Sequence, residues 1–218
     1  MKHADWYFDF ISPFSYLQCE HLPEITADIE IRCKPVLFAG LLKHHGQLGP
    51  AEIPSKRRFT YRFAQWLADQ QGITFTLPPV HPFNPLAVLR LAIAAGSDLQ
   101  SVSEIFRFIW AQGRSIDDGD NFDVLANRLG IADARTKIAD AGVKQELIEN
   151  TQRAIDRDVF GVPSFVVDDT VFWGADALDF FVAYCHDPRL LNTPAMRRID
   201  DLPVGTERPR KEEPGSES

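Results

Sequence analysis

Four consecutive residues, Ser12-Pro13-Phe14-Ser15, stand where an aromatic strand gives way to a helical pattern. A Cys-x-x-Cys pair at such a junction does thiol–disulfide chemistry, because the unpaired N–H groups and positive dipole end of a helix start depress a thiol pKa. Serine cannot follow that route, since its hydroxyl stays protonated without a base. The six histidines lie elsewhere, no Ser-His-Asp arrangement is legible, and no G-x-S-x-G elbow occurs. What Ser12 can do is donate a hydrogen bond. A thiolate brought from outside and set against its hydroxyl would be stabilised by the same field, and glutathione is the abundant cytosolic thiol to supply it. The competing reading is a helix cap, worth about 1 kcal/mol, which a Ser before Pro suits well.

The elements around this junction follow from periodicity. Residues 5–10 alternate, with Trp6, Phe8 and Phe10 on one face and Asp5, Tyr7 and Asp9 on the other, as in a half-buried strand. Pro13 suits the first turn of a helix reaching about Leu22, and "IEIRCKPVLF" gives a second strand, completing a β-α-β unit. About a hundred residues of helical pattern follow. They include "RRFTYRFAQWLADQQG", with Phe59, Phe63, Trp66 and Leu67 on one stripe, then "NPLAVLRLAIAAG" and "SVSEIFRFIWAQG", the last starting behind a Ser and stopping at Gly113. Two shorter helices near Phe122–Leu129 and Ala134–Ala141 precede a longer one across Val143–Val159. "PSFVVDDTVFWG" reads as a hairpin around Asp168-Asp169, with a last helix in "DALDFFVAYC".

This order predicts an α/β chain: a thioredoxin-like fold interrupted by an all-helical insertion domain. Residues 1–40 and 155–187 form the thioredoxin-like domain, 41–154 the insertion, and 188–218 a polar C-terminal extension, disordered at its end.

Composition narrows the partners. With 23 Lys and Arg against 31 Asp and Glu, the formal charge is −8, which argues against binding nucleic acid. Lys56-Arg57-Arg58 is a solvated helix face or a local anion trap. No stretch is apolar for the ~20 residues of a membrane span, and the N-terminus lacks a secretory pattern. Cys19, Cys33 and Cys185 are too widely spaced for a redox pair or a zinc knuckle, which fits reduced thiols in the cytoplasm. His44-His45 lack a carboxylate or cysteine at ligand spacing, so no metal is expected.

The stretches "FDFISPFSYL" and "FGVPSFVVDDTVFWGADAL", set in this split architecture, resemble the kappa class of glutathione transferases. Within that superfamily they are most similar to the bacterial 2-hydroxychromene-2-carboxylate isomerases. Both groups are relatives of DsbA-type oxidoreductases in which serine replaces the first redox cysteine. The resemblance runs from residue 5 to about 185. It implies that Ser12 is the catalytic residue contacting the glutathione sulfur, and that Phe14 lines the substrate side. It puts a cis-proline at Pro163, so that Val162 offers its backbone to the cysteinyl part of glutathione. It assigns Ala175 and Asp176 to the glutamyl end, although relatives commonly carry Arg where this chain has Ala177. Gln47 falls where relatives hold a tripeptide-contacting Asn, and Lys56 where kappa enzymes have a lysine near a carboxylate. Asn84 is a further substrate-side candidate, with a helix cap as its competing role.

The activity implied is glutathione-dependent cis/trans isomerisation of an aromatic α-keto acid in aromatic hydrocarbon catabolism, by reversible thiolate addition, with no metal and no net redox change. The resemblance also implies a homodimer. Phe14, Tyr16 and Trp173 are the aromatic supply near the site, though each could be core. A kappa-like transferase or peroxidase, and a non-catalytic thioredoxin-fold binding module, are the alternatives.

Overall fold

Strand β1 (Lys2–Phe8) occupies the centre of a four-stranded sheet of order β2-β1-β3-β4. Helix α1 (Pro13–Ile25) carries the chain across to β2 (Ile29–Pro35), which pairs parallel with β1. The chain then leaves the sheet for seven helices: α2 (Phe38–His44), α3 (Pro54–Gln71), α4 (Leu86–Ala94), α5 (Leu99–Phe106), α6 (Gly119–Arg128), α7 (Ala134–Ala139) and α8 (Ala141–Asp156). It returns as the antiparallel hairpin β3 (Ser164–Val167) and β4 (Thr170–Trp173), with β3 beside β1, and closes with α9 (Leu178–His186) and α10 (Pro194–Asp200). This is a thioredoxin-like fold split by a helical insertion. The computed structural model describes residues 2–25 and 29–206, so the polar end read as disordered, 207–218, lies outside the described residues. No helix among the described residues is long and apolar enough to cross a membrane.

The expectation of a half-buried β1 fails. Trp6, Tyr7 and Phe8 are all fully buried, because helices cover both faces of the central strand. On one face Trp6 stacks on Phe8 at 4.4 Å, and Phe106 from α5 packs against Phe8 and Phe10 at 5.5 and 4.6 Å. On the other, Tyr7 shares a smaller cluster with Val36, Leu41, Ala154 and Val159. A strand buried on both sides carries apolar residues continuously rather than alternately.

Other boundaries shift for local reasons. Helix α3 begins at Pro54 and ends at Gly72, whose φ of 67° supplies the left-handed cap. It seats itself through Ala64 and Ala68, so Phe59 and Trp66 of the expected stripe stay 65% and 54% exposed. Helix α5 is capped not by a serine but by Asp98, whose carboxylate accepts from Ser101 N–H at 2.9 Å. It runs into a wide π-type turn at Arg107–Ala111, with Phe108, Ile109 and Trp110 all buried. Asp168 and Asp169 both adopt left-handed φ, 48° and 62°, as a two-residue primed hairpin turn demands. Beyond residue 187 the chain is not simply a tail. A 3-10 turn at Pro188–Asn192 packs Leu190 and Leu191 against the core before α10.

Asp9, just past β1, is fully buried, with no cationic partner among the described residues. Its carboxylate accepts from Ile11 N–H at 3.1 Å and from Phe38 N–H, at the start of α2, at 2.9 Å. Burial wins over these bonds and pushes its pKa up from 3.8 to about 7. The folded state therefore holds the proton more tightly than the unfolded chain, and this residue's contribution to stability falls as pH rises from about 4 to about 7. Urea unfolding across that window should show a steeper loss of stability with pH in the wild type than in Asp9→Asn, by up to about 1.4 kcal/mol per pH unit. Parallel profiles would refute the assignment.

Candidate active site

The Ser12 turn is built from backbone first. Ser12 N–H donates to the Asp9 carbonyl at 3.0 Å, and Ser12 Oγ accepts from Ser15 N–H at 3.2 Å. Ser12 thus caps α1, and capping is compatible with donation. The cap bond uses an oxygen lone pair, while the hydroxyl hydrogen stays free to point elsewhere. Ser12 retains 8% exposure, whereas Ser15 is fully buried with a hydroxyl lacking a partner among the described residues. The three thiols offer no rival nucleophile. All are buried, and desolvation is the leading cause of each upward shift in pKa, Cys33 to about 12.

Beside the head of α1 lies a pocket of about 300 Å³. One wall is a single face of α1: Phe14, Leu17, Gln18 and His21, spaced i, i+3, i+4 and i+7. Phe63, Leu67 and Gln71 of α3 form the opposite wall, with Phe63 tilted against Phe14 at 6.0 Å between centroids. Val162-Pro163 and Trp173–Asp176 form the floor.

The floor is held by several specific contacts. The Val162–Pro163 peptide is cis, and the Pro163 carbonyl accepts from Gly174 N–H at 2.9 Å. Trp173 packs so closely over Gly161 that a Cβ there would sit 2.4 Å from the indole nitrogen, which is why this position takes glycine. Gln18 bridges wall to floor, accepting from Trp6 Nε1 at 2.7 Å and donating to the Gly174 carbonyl at 2.9 Å. Among the described residues no hydrogen bond engages the Val162 N–H and C=O, or the N–H groups of Ala175 and Asp176 that open the turn into α9. Asp176 is exposed and unpaired among the described residues. Among the described residues, His21 is the one pocket side chain of basic type.

The structure therefore brings Phe14, Val162, Ala175 and Asp176 together in one pocket. Ser12 opens the helix that forms one wall, but is not itself part of the pocket lining. Lys56 lies outside, exposed, two helical turns before Phe63 on the same face of α3. Gln47 is exposed in the loop between α2 and α3, and exposed Asn84 accepts from Leu86 N–H at 3.1 Å at the start of α4. The wall residues Gln18, His21 and Gln71 carry a signal in the sequence only as helix-face spacing. The contact from Gln18 to Gly174 spans 156 positions and leaves no local trace.

Residues 4–185 match the family model described as a DSBA-like thioredoxin domain. A 2-hydroxychromene-2-carboxylate isomerase of Sphingobium xenophagum is 30% identical over 195 residues, covering 85% of this chain and 99% of that protein. Glutathione S-transferase kappa 2 of Caenorhabditis elegans is 28% identical over 210 residues, 86% of this chain and 93% of that one. A solved 2-hydroxychromene-2-carboxylate isomerase structure superposes with a TM-score of 0.73 at 25% identity, over 93% of this chain and all of its own. The chain belongs to the DsbA-like thioredoxin family, in the group that unites 2-hydroxychromene-2-carboxylate isomerases with kappa-class glutathione transferases.

Proposed function

We propose that the protein is a glutathione-dependent cis/trans isomerase acting on an aromatic α-keto acid. The observation that carries this reading is a series of groups at and in one pocket. The Ser12 hydroxyl hydrogen stands at the start of the helix that forms one wall. The lining itself offers two sets without partners among the described residues: the Val162 backbone pair, then the Ala175 and Asp176 N–H groups beside the Asp176 carboxylate. A γ-glutamyl tripeptide has complementary parts in that order: a sulfur, an extended peptide unit, and a zwitterionic end.

Bound glutathione supplies a thiolate, whose reversible addition to a conjugated C=C would free that bond to rotate. Ser12 donates its hydroxyl hydrogen to the sulfur, and the first turn of α1 adds its dipole. Val162 pairs N–H and C=O with the cysteinyl unit, as a sheet edge would. Ala175 and Asp176 hold the glutamyl carboxylate through N–H groups, and the Asp176 carboxylate takes the ammonium. The position after Asp176 carries no charge, since Ala177 stands there. Phe14 and Phe63 offer apolar faces to an aromatic substrate. Lys56 and Gln47 serve the outer carboxylate and amide of the peptide. Asn84 keeps its side-chain N–H groups for the substrate, because only its oxygen is used in the cap.

The test is an ultraviolet assay of chromene carboxylate with and without glutathione. Ser12→Ala should lower kcat by about a hundredfold or more, with the calorimetric Kd for glutathione changed less than about tenfold. Turnover unchanged in the variant would refute the role of Ser12. Free thiol should stay constant during turnover, and its consumption would instead mark a transferase. Asp176→Asn should raise the KM for glutathione about fivefold or more while leaving kcat near wild type. An unaltered KM would remove Asp176 from the glutamyl site.

A further inference from the structure

The two peptide planes that lead into Ser12 are each held at both ends. In the Phe10–Ile11 plane, the carbonyl accepts from Trp110 Nε1 at 2.8 Å and the N–H donates to the Asp9 carboxylate at 3.1 Å. In the Ile11–Ser12 plane, the carbonyl accepts from His81 Nε2 at 2.7 Å and the N–H donates to the Asp9 carbonyl at 3.0 Å. Pro13 fixes φ on the far side. The direction of the Ser12 Cα–Cβ bond is therefore set by neighbours that never touch the Ser12 side chain.

His81 is the mobile member of this set in chemical terms, because its tautomer decides whether it can hold the carbonyl. A carbonyl only accepts, so Nε2 must carry the hydrogen and Nδ1 must be the acceptor. Tyr61 of α3 supplies the matching donor, with its hydroxyl 2.6 Å from Nδ1. The ring is held edge-on by Tyr61, Phe83 and Trp110, at centroid distances of 5.3 to 5.7 Å. Desolvation, first among the causes, keeps the imidazole pKa below its ordinary value, with Arg57 acting in the same direction. A neutral ring with the hydrogen on Nε2 is the form this environment selects.

We propose that His81, locked in one tautomer by Tyr61, is a positioning residue for the Ser12 hydroxyl. It reaches from the helical insertion to fix the peptide plane that aims the sulfur seat. The inference rests on the role given to Ser12 above. It adds that the geometry of the seat is set by α3 and the segment after it, and not by the sheet and α1 alone.

The test uses the full chain and four readouts. Nitrogen-detected NMR of the wild type should show the Nε2–H tautomer at His81, and an Nδ1–H tautomer would overturn the proposal. His81→Phe keeps an aromatic ring and removes both hydrogen bonds. It should speed amide exchange over residues 11–12 about tenfold and lower kcat about tenfold, with the Kd for glutathione changed less than about threefold. His81→Gln, which retains a donor at the Nε2 place, should restore most of both. Exchange and kcat at wild-type values in a folded His81→Phe protein would overturn the proposal. So would equal loss of kcat in the Gln and Phe variants. Should His81→Phe not fold, Tyr61→Phe frees Nδ1 with minimal change in packing. It should speed exchange at the same two amides, and no change there would be decisive against the relay. A wild type that neither binds glutathione nor turns over would sink the proposed function, while tautomer and exchange still judge the His81 contact itself.

Discussion

The hydrogen bonds that pin the peptide planes before Ser12 are the constraint on which the site depends. A hydroxyl can stabilise a sulfur anion only if its hydrogen points at the sulfur without reorganising. Serine has one rotatable bond between its backbone and that oxygen, so precision must come from the backbone. Here the backbone is fixed by a buried carboxylate, an indole and an imidazole rather than by a regular ladder. The two donors among them, His81 and Trp110, come from the helical segment inserted between β2 and β3.

The price of this arrangement appears at Asp9. A fully enclosed carboxylate with no counter-ion among the described residues is an unfavourable group to bury. It is tolerated because both of its oxygens accept backbone N–H groups that would otherwise be orphaned, at the turn and at the start of α2. The same logic recurs at Gln18, whose two amide ends tie the core tryptophan to the pocket floor. Around these polar groups Trp6, Phe8, Phe10 and Phe106 supply the apolar packing.

Much of the fold is legible in the sequence, because it is written in local periodicity and turn chemistry. The Ser-Pro helix start, the Asp168-Asp169 hairpin and the succession of helices between β2 and β3 are all of this kind. The candidate site is legible where its residues sit in distinctive short stretches: Phe14 behind Ser-Pro, Val162 before Pro163, and Ala175-Asp176 in "WGADAL". Hidden from the sequence are features that arise from distant parts of the chain. The burial of Tyr7 depends on residues from α2 and α8 and the loop after them, and nothing near His81 announces that it will meet Ile11, 70 positions away. The stripe on α3 misleads for the opposite reason. Its aromatics satisfy helical spacing, yet small alanines let the helix sit close on another face and leave Phe59 and Trp66 outward.

Those outward rings are not scattered. Phe59 and Trp66 each stack on Phe63, at 5.6 and 6.0 Å with interplanar angles of 20° and 13°, and Phe63 leans on Phe14 inside the pocket. A flat, greasy molecule meeting the surface near α3 would find π-faces continuous from bulk water to the pocket. Under the proposed function, capture and entry would be one gradual slide rather than two separate encounters, with the helix that carries Tyr61 doubling as the vestibule.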